Sequence, residues 1–156
     1  MRILIAAVGR LRGGPEAALT KDYLARAAAA GRALGFKGVD LVEVEAKPPG
    51  DPRDEAGALF RATPDDSRKI LLDERGAEWT SRQLAEKLAR WRDDGQANAC
   101  FWIGGADGVA QSVKDQADEK LALGRQTWPH RLVRVMIAEQ IYRAVTILGH
   151  TPYHRD

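Results

Sequence analysis

The chain has little of what usually announces a protein's chemistry. Its 156 residues include a single cysteine, Cys100, which excludes an internal disulfide. Set in the apolar run from Ala99 to Ile103, that cysteine reads as a small buried side chain. No apolar run approaches the ~18 residues of a membrane span, and the stretch from Ile3 to Val8 is shorter than the apolar part of a secretory signal. The expected compartment is a reducing cytoplasm, with no membrane association. Net charge is only +2, so a polyanionic partner has to be met by a local patch and not by the whole surface.

Familiar catalytic motifs are missing as well. The first loop, Gly9-Arg10-Leu11-Arg12-Gly13-Gly14, fails the G-x-G-x-x-G spacing, and no G-x-x-x-x-G-K-[ST] occurs, which disfavours a dinucleotide or nucleoside-triphosphate site. No serine stands in a nucleophile elbow and no Cys-His arrangement is readable, so covalent hydrolytic catalysis has no support. The three histidines, His130, His150 and His154, fall on different elements, and nothing has metal-ligand spacing. No metal is expected.

What is present is an ordinary globular composition, 44% apolar and 29% charged, in a chain long enough for one domain, 1–156, that buries roughly two-thirds of its unfolded surface. Arg2 to Val8 and Val39 to Val44 read as strands, with a helix from Glu16 to Leu34 between them that stops at Gly35. Lys47-Pro48-Pro49-Gly50-Asp51-Pro52 has to be an exposed loop, and a short helix from about Asp54 to Ala62 follows. Lys69 to Leu72 is a compact strand ending at Asp73, with a turn from Glu74 to Glu78. Thr80-Ser81-Arg82-Gln83 has the form of a capping box opening a helix that carries Leu84, Leu88 and Trp91 toward Gly95. Asn98 to Ile103 is a buried strand, a helix spans about Val109 to Ala117, and Lys120 to Leu123 is a last short strand. Alternating strands and helices predict an α/β domain with a largely parallel sheet. Ligands in such sheets collect beyond the carboxyl ends of the strands, which here means Leu72-Asp73, Gly104-Gly105 and the loop from Gly124.

The last third is distinctive. After Lys120 there is no lysine, and five arginines (Arg125, Arg131, Arg134, Arg143, Arg155) face two acids, Glu139 and Asp156. A stretch restricted to arginine suggests planar donors that grip phosphate or carboxylate at two points. The helix from Pro129 to Leu148 has apolar residues all round its circumference, so it must be covered on both sides. With the sheet on one side, a second copy of the chain is expected on the other. Glu139 and Arg143, four apart, read as an ion pair on this helix. His130, beside Pro129, is either a solvent-facing first-turn residue or a ligand contact at the positive end of the helix. The terminal Tyr153-His154-Arg155 sets a stacking ring, a group titrating near neutrality and a forked cation side by side. That arrangement is either a frayed end or a site.

At this point Leu72-Asp73, Leu88-x-x-Trp91-x-x-x-Gly95, Ile103-Gly104-Gly105-x-x-Gly108, Pro129-His130-x-Leu132-Val133-Arg134-Val135, Ala138-Glu139-Gln140-Ile141-Tyr142-Arg143-Ala144 and Pro152-Tyr153-His154-Arg155 resemble the bacterial ribosomal RNA large-subunit methyltransferase H family. These are small single-domain members of the SPOUT class, and the likeness runs the full length. It departs from the family pattern at Ala106-Asp107, where relatives often carry Pro-Glu, and at Arg125 and Trp128, where some carry smaller residues.

The resemblance implies a C-terminal trefoil knot, one of the rare exceptions to unknotted topology, and a homodimer. It implies binding of S-adenosyl-L-methionine through Leu72, Gly105 and the loop Gly124-Arg125-Gln126-Thr127-Trp128-Pro129. It also implies methylation of N3 of a pseudouridine in 23S ribosomal RNA on assembled ribosomes. The catalytic residues would be Tyr153, stacking by the target base, Arg143 and Arg155, holding phosphate or carbonyl oxygens, and His154, assisting deprotonation or orienting the base. The tail of one subunit would complete the cofactor pocket of the other. Two rivals stand beside this expectation: a SPOUT enzyme acting on another RNA, and a non-catalytic ribosome-binding module.

Overall fold

The computed structural model describes residues 1–46 and 50–155, so Lys47, Pro48 and Pro49 of the expected proline loop, and Asp156 of the tail, lie outside the described residues. Five strands, β1 (Arg2–Val8), β2 (Gly38–Val44), β3 (Ser67–Glu78), β4 (Asn98–Ile103) and β5 (Glu119–Ala122), form one sheet in the order β2-β1-β4-β3-β5. Every pairing in it is parallel. The reason is legible in β1 and β4, which are apolar on both faces. Ile3, Ile5, Ala7, Phe101 and Ile103 enter one core cluster, and Leu4, Ala6, Val8, Cys100 and Trp102 enter another. Strands buried on both sides need helices on both sides, and parallel connections supply them.

One face carries α1 (Pro15–Gly31), α3 (Ser81–Asp93) and α5 (His130–Leu148), and the other carries α2 (Pro52–Ala62) and α4 (Gln111–Gln116). The capping box read at Thr80 is formed. The Thr80 side chain accepts from Gln83 N at 3.1 Å and Gln83 Oε1 accepts from Thr80 N at 2.8 Å, an arrangement that contributes about 1 kcal/mol. Asp51 caps α2 in the same way, accepting from Arg53 N at 2.8 Å. The Cys100 thiol is fully buried, and that burial pushes its pKa up to about 11, so it is inert packing at neutral pH.

Several boundaries differ from the sequence expectation. The first helix ends its α-helical part at Gly31 and tightens into a 3₁₀ turn, Arg32–Leu34, before Gly35 turns left-handed at φ 84°. The helix expected over 109–117 is only Gln111–Gln116, and the last strand sits one residue earlier than expected. The turn expected over 74–78 is instead a bulged continuation of β3. Pairing with β5 jumps from Leu72↔Leu121 to Ala77↔Leu121. Asp73 Oδ1 accepting from Arg75 N at 2.9 Å makes a local Asx turn at the start of that segment. Gly76 then lets the chain rejoin, because a Cβ there would lie 2.6 Å from the Lys120 carbonyl carbon.

Contrary to the sequence expectation, α5 does not depend on a second subunit to cover its far side. Within the chain α5 packs against both α1 and α3 as well as the sheet, and these bury Ile137, Ala138, Ile141, Ala144 and Val145 completely. What stays open is smaller: Leu132 at 39% exposure, and a groove where Val135 and Met136 meet Leu19 and Tyr23 of α1.

Candidate methyltransferase site

The bulged end of β3 positions the loop from Gly124 to Pro129. Glu74 Oε2 accepts from Thr127 Oγ1 at 2.9 Å, Glu78 Oε1 accepts from Arg125 Nε at 3.4 Å, and the Trp128 ring nitrogen donates to the Leu123 carbonyl at 3.1 Å. Gly124, at φ 98°, makes the turn out of β5. The loop thereby closes over a cavity of about 410 Å³ at the carboxyl ends of β3, β4 and β5, the size range of small-ligand sites.

Six of the eight residues assigned to cofactor binding, Leu72, Gly105, Gly124, Gln126, Thr127 and Trp128, line this cavity together. Arg125 points away with a side-chain exposure of 94%, and Pro129 serves as the cap residue of α5. Arg75, Lys114 and Val133, which the sequence missed, also line the wall, as does His130, whose ligand-facing alternative was raised from the sequence by its place beside Pro129 at the start of α5. Burial, and then the cations of Arg134 and Arg131, lower the His130 pKa, so its ring is neutral at physiological pH.

The Gly-Gly pair is both a turn and a close approach. A Cβ on Gly104 would fall 2.2 Å from Val109 Cγ1, and one on Gly105 would fall 2.7 Å from Glu55 Oε2. Glu55 is nearly buried on α2, and its pKa is raised by desolvation first and by Asp107 next.

The tail is a separate construction. At the end of α5, His150 takes the left-handed conformation, φ 51°. His150 N donates to Ile147 O at 3.1 Å and Thr151 N to Thr146 O at 3.0 Å, the paired bonds of a Schellman termination. This reverses the chain, so that Tyr153 lies back along α5 with its ring 4.6 Å from that of Tyr142 and beneath the Arg143 guanidinium, 4.8 Å from the ring centre. Glu139 is the hub. Its Oε1 accepts from Arg143 Nε at 3.0 Å and from the Tyr153 hydroxyl at 3.0 Å, and its Oε2 accepts from Gln140 at 2.8 Å. Arg143 Nη1 stands 3.4 Å from His154 Nδ1, and Arg155 is exposed. Burial, with hydrogen bonds to Tyr23 and Glu139, drives the Tyr153 pKa up and keeps the phenol protonated. The end is thus ordered onto the helix, not frayed, and the Glu139–Arg143 ion pair read from the sequence is part of the anchor.

The loop enters α5 at His130 and the tail leaves it beyond Tyr142, about 18 Å of helix rise later, but the tail folds back, and Glu139, which accepts from the Tyr153 hydroxyl, lines one groove with Leu123 and Gly124.

A family model described as a predicted SPOUT methyltransferase matches residues 1–154. The chain is 53% identical over 156 residues to the ribosomal RNA large subunit methyltransferase H of Hyphomonas neptunium, covering 99% of each protein. It is 54% identical to the proteins of that name from Paracoccus denitrificans and from Phenylobacterium zucineum, covering all of each. The chain belongs to this family of SPOUT methyltransferases. As a SPOUT methyltransferase it has the family's five-stranded parallel α/β sheet, with the glycine-bearing cavity at the sheet's carboxyl edge. Among the described residues no helix is long and apolar enough to cross a membrane, and no group of three His, Cys, Asp or Glu side chains is placed to hold a metal ion.

Proposed function

We propose that this methyltransferase uses S-adenosyl-L-methionine to methylate N3 of a pseudouridine in 23S ribosomal RNA, acting in the cytoplasm as a homodimer on assembled ribosomes. The observation that carries the reading is the division of the site: a cavity built for a small ligand at one end of α5 and an ordered Tyr-His-Arg cluster at the other.

The cavity residues suit the cofactor. Leu72, Val133 and Trp128 offer apolar wall, Gly104, Gly105 and Gly124 leave the backbone bare, and Asp73 and Glu74 supply negative charge for a sulfonium. When bound, the cofactor supplies an activated methyl group. The chain's own part is to hold the acceptor ring in line, to relieve its N–H of a proton and to hold the RNA. Tyr153 offers the stacking face. Arg143 and Arg155 offer forked donors to carbonyl or phosphate oxygens, and His154 offers a ring nitrogen for orientation or proton removal.

The cavity lies at the start of α5 and the tail is anchored toward its end, so a two-fold partner placed with its α5 running the other way supplies the half that each end lacks. The groove of about 550 Å³ lined by Leu19, Tyr23, Trp79, Val135, Met136 and Glu139 is the face that would receive it. The trefoil knot belongs to the same proposal, as the threading that sets the loop from Gly124 beside Gly105. Removal of Tyr153 to Asp156 tests the whole. Cofactor binding is expected to survive, by calorimetry, while methyl transfer to ribosomes falls by orders of magnitude. Equal activity removes the tail from the reaction, and mass spectrometry of the product nucleoside tests the position of the methyl group.

A further inference from the structure

We propose that the loop from Gly9 to Gly14 is a preformed arm that grips RNA phosphate through Arg12, in concert with Arg131, and that buried Arg134 is the positioning residue that holds the arm in place. The inference rests on the reading of the substrate as ribosomal RNA and adds to it the surface that holds the RNA outside the cavity.

Arg134 is the one arginine among the described residues with no exposure at all. Its Nη1 donates to Glu43 Oε1 at 2.7 Å, and its Nη2 donates to the carbonyls of Val8 at 2.6 Å and Gly9 at 2.9 Å. Glu43 Oε1 in turn accepts from Leu11 N at 2.8 Å, and Gly9 N donates to Val44 O at 2.8 Å. Four main-chain groups of one loop are therefore fixed by a single guanidinium, its carboxylate and the end of β2. Taking that ion pair out of water is expensive, and an apolar side chain would fill the space as well. Arg134 Nε even remains buried without a partner. What the arginine achieves that an apolar residue would not is a rigid backbone under a loop that carries two more arginines.

Among the arginines of this loop, of α5's first turns and of the loop from Gly124, some are already neutralised. Arg10 is paired with Glu45 at 3.3 Å, Arg125 with Glu78 at 3.4 Å and Arg134 with Glu43. Arg12 and Arg131 are exposed, and among the described residues neither has a carboxylate partner. Arg131 stands just under one helical turn before Arg134, on the end of α5 whose His130 lines the cavity. Two uncompensated forked donors thus stand by the first turns of α5, one on the loop clamped to Arg134 and one on the helix beside His130. Phosphate is the ligand such forks fit at two points, contacts of this kind position a duplex or loop without reading its sequence, and a rigid arm loses little freedom on binding.

The test is binding of the full-length protein to purified bacterial ribosomes at 50 and 200 mM monovalent salt, for wild type, the Arg12→Gln/Arg131→Gln double variant and Arg134→Lys. Each phosphate contact steepens the dependence of log affinity on log salt by roughly 0.7 to 0.9. Wild-type affinity should therefore fall about seven to twelve times further across this range than that of the double variant, while calorimetry with S-adenosyl-L-methionine gives the same cofactor affinity for both. Arg134→Lys, with both surface cations intact, should also lose slope. A lowered melting temperature with an unchanged slope would make Arg134 a structural residue only and overturn its positioning role. An unchanged slope in the double variant overturns the arm. Wild type that takes the cofactor but does not bind ribosomes overturns the substrate reading along with it.

Discussion

If the site is shared between two copies, two inactive variants should repair one another. One partner is the chain lacking Tyr153 to Asp156, which keeps its cavity. The other is Gly105→Leu, whose Cβ would fall 2.7 Å from Glu55 Oε2, so that the branched side chain has to push that carboxylate aside or turn into the cavity that Gly105 lines, while its tail, anchored on Glu139, is untouched. Each homodimer is inactive because it lacks one half of every site. Mixed in equal amounts and allowed to exchange, two-fold dimers distribute binomially, so about half are mixed, and each mixed dimer holds one intact cavity facing one intact tail. One working site of two in half the dimers gives about a quarter of wild-type activity per chain. The assay is transfer of radiolabelled methyl to ribosomes as a function of mixing ratio, with the maximum at equal amounts. The cis alternative predicts no recovery at any ratio, since neither variant chain carries both an intact cavity and an intact tail. Exchange verified by native mass spectrometry with no recovered activity would refute the composite site.

Two further outcomes follow from local geometry. His150 is the only non-glycine residue with positive φ among those described, and the Schellman bonds around it do not use its side chain. His150→Gly should stabilise the fold by about 0.5–1 kcal/mol, once the greater freedom of glycine in the unfolded chain is set against the 1–2 kcal/mol that a Cβ costs there. A melting temperature that falls would show that the imidazole holds the tail. Glu55 has its pKa raised by burial and by Asp107, so its contribution favours the fold below the unfolded carboxyl pKa and is lost as pH rises through the folded value. Glu55→Gln should accordingly raise the melting temperature at neutral pH, on the order of 2–4 °C for each 1 kcal/mol recovered. The gain should disappear in acid, and one that persists at low pH would mean that the charge is not its source.

Much of the architecture was legible because it rests on local rules. The apolar β1 and β4 could only be strands buried on both faces, and Thr80 to Gln83 satisfies the first turn of α3 from within itself. The three strand ends picked out from the sequence do converge on one cavity, since parallel strands place their carboxyl ends on one edge. The bulge of β3 was not legible. Asp73 and Arg75 do make a turn, but whether the chain then leaves or rejoins the sheet depends on the close approach of Gly76 to Lys120, a distant segment. The loop-holding roles of Glu74 and Glu78 followed from that bulge and were missed with it.

The sequence alone determined the class of fold and the family, and it put forward an inventory for the site: glycines and a polar loop for a small ligand, and tyrosine, histidine and arginine for an acceptor. It also placed all of these but Leu72 within the last third, as though they formed one cluster. Only the tertiary structure decided how they are divided, because a helix is a stiff rod that advances 1.5 Å per residue, so that the loop enters α5 at one end and the tail leaves it at the other. It likewise decided which arginine is scaffold and which are surface. Arg134 and Arg131 look alike in the chain, and burial beside Glu43, 91 residues away, makes one a clamp, while the other keeps its charge in water.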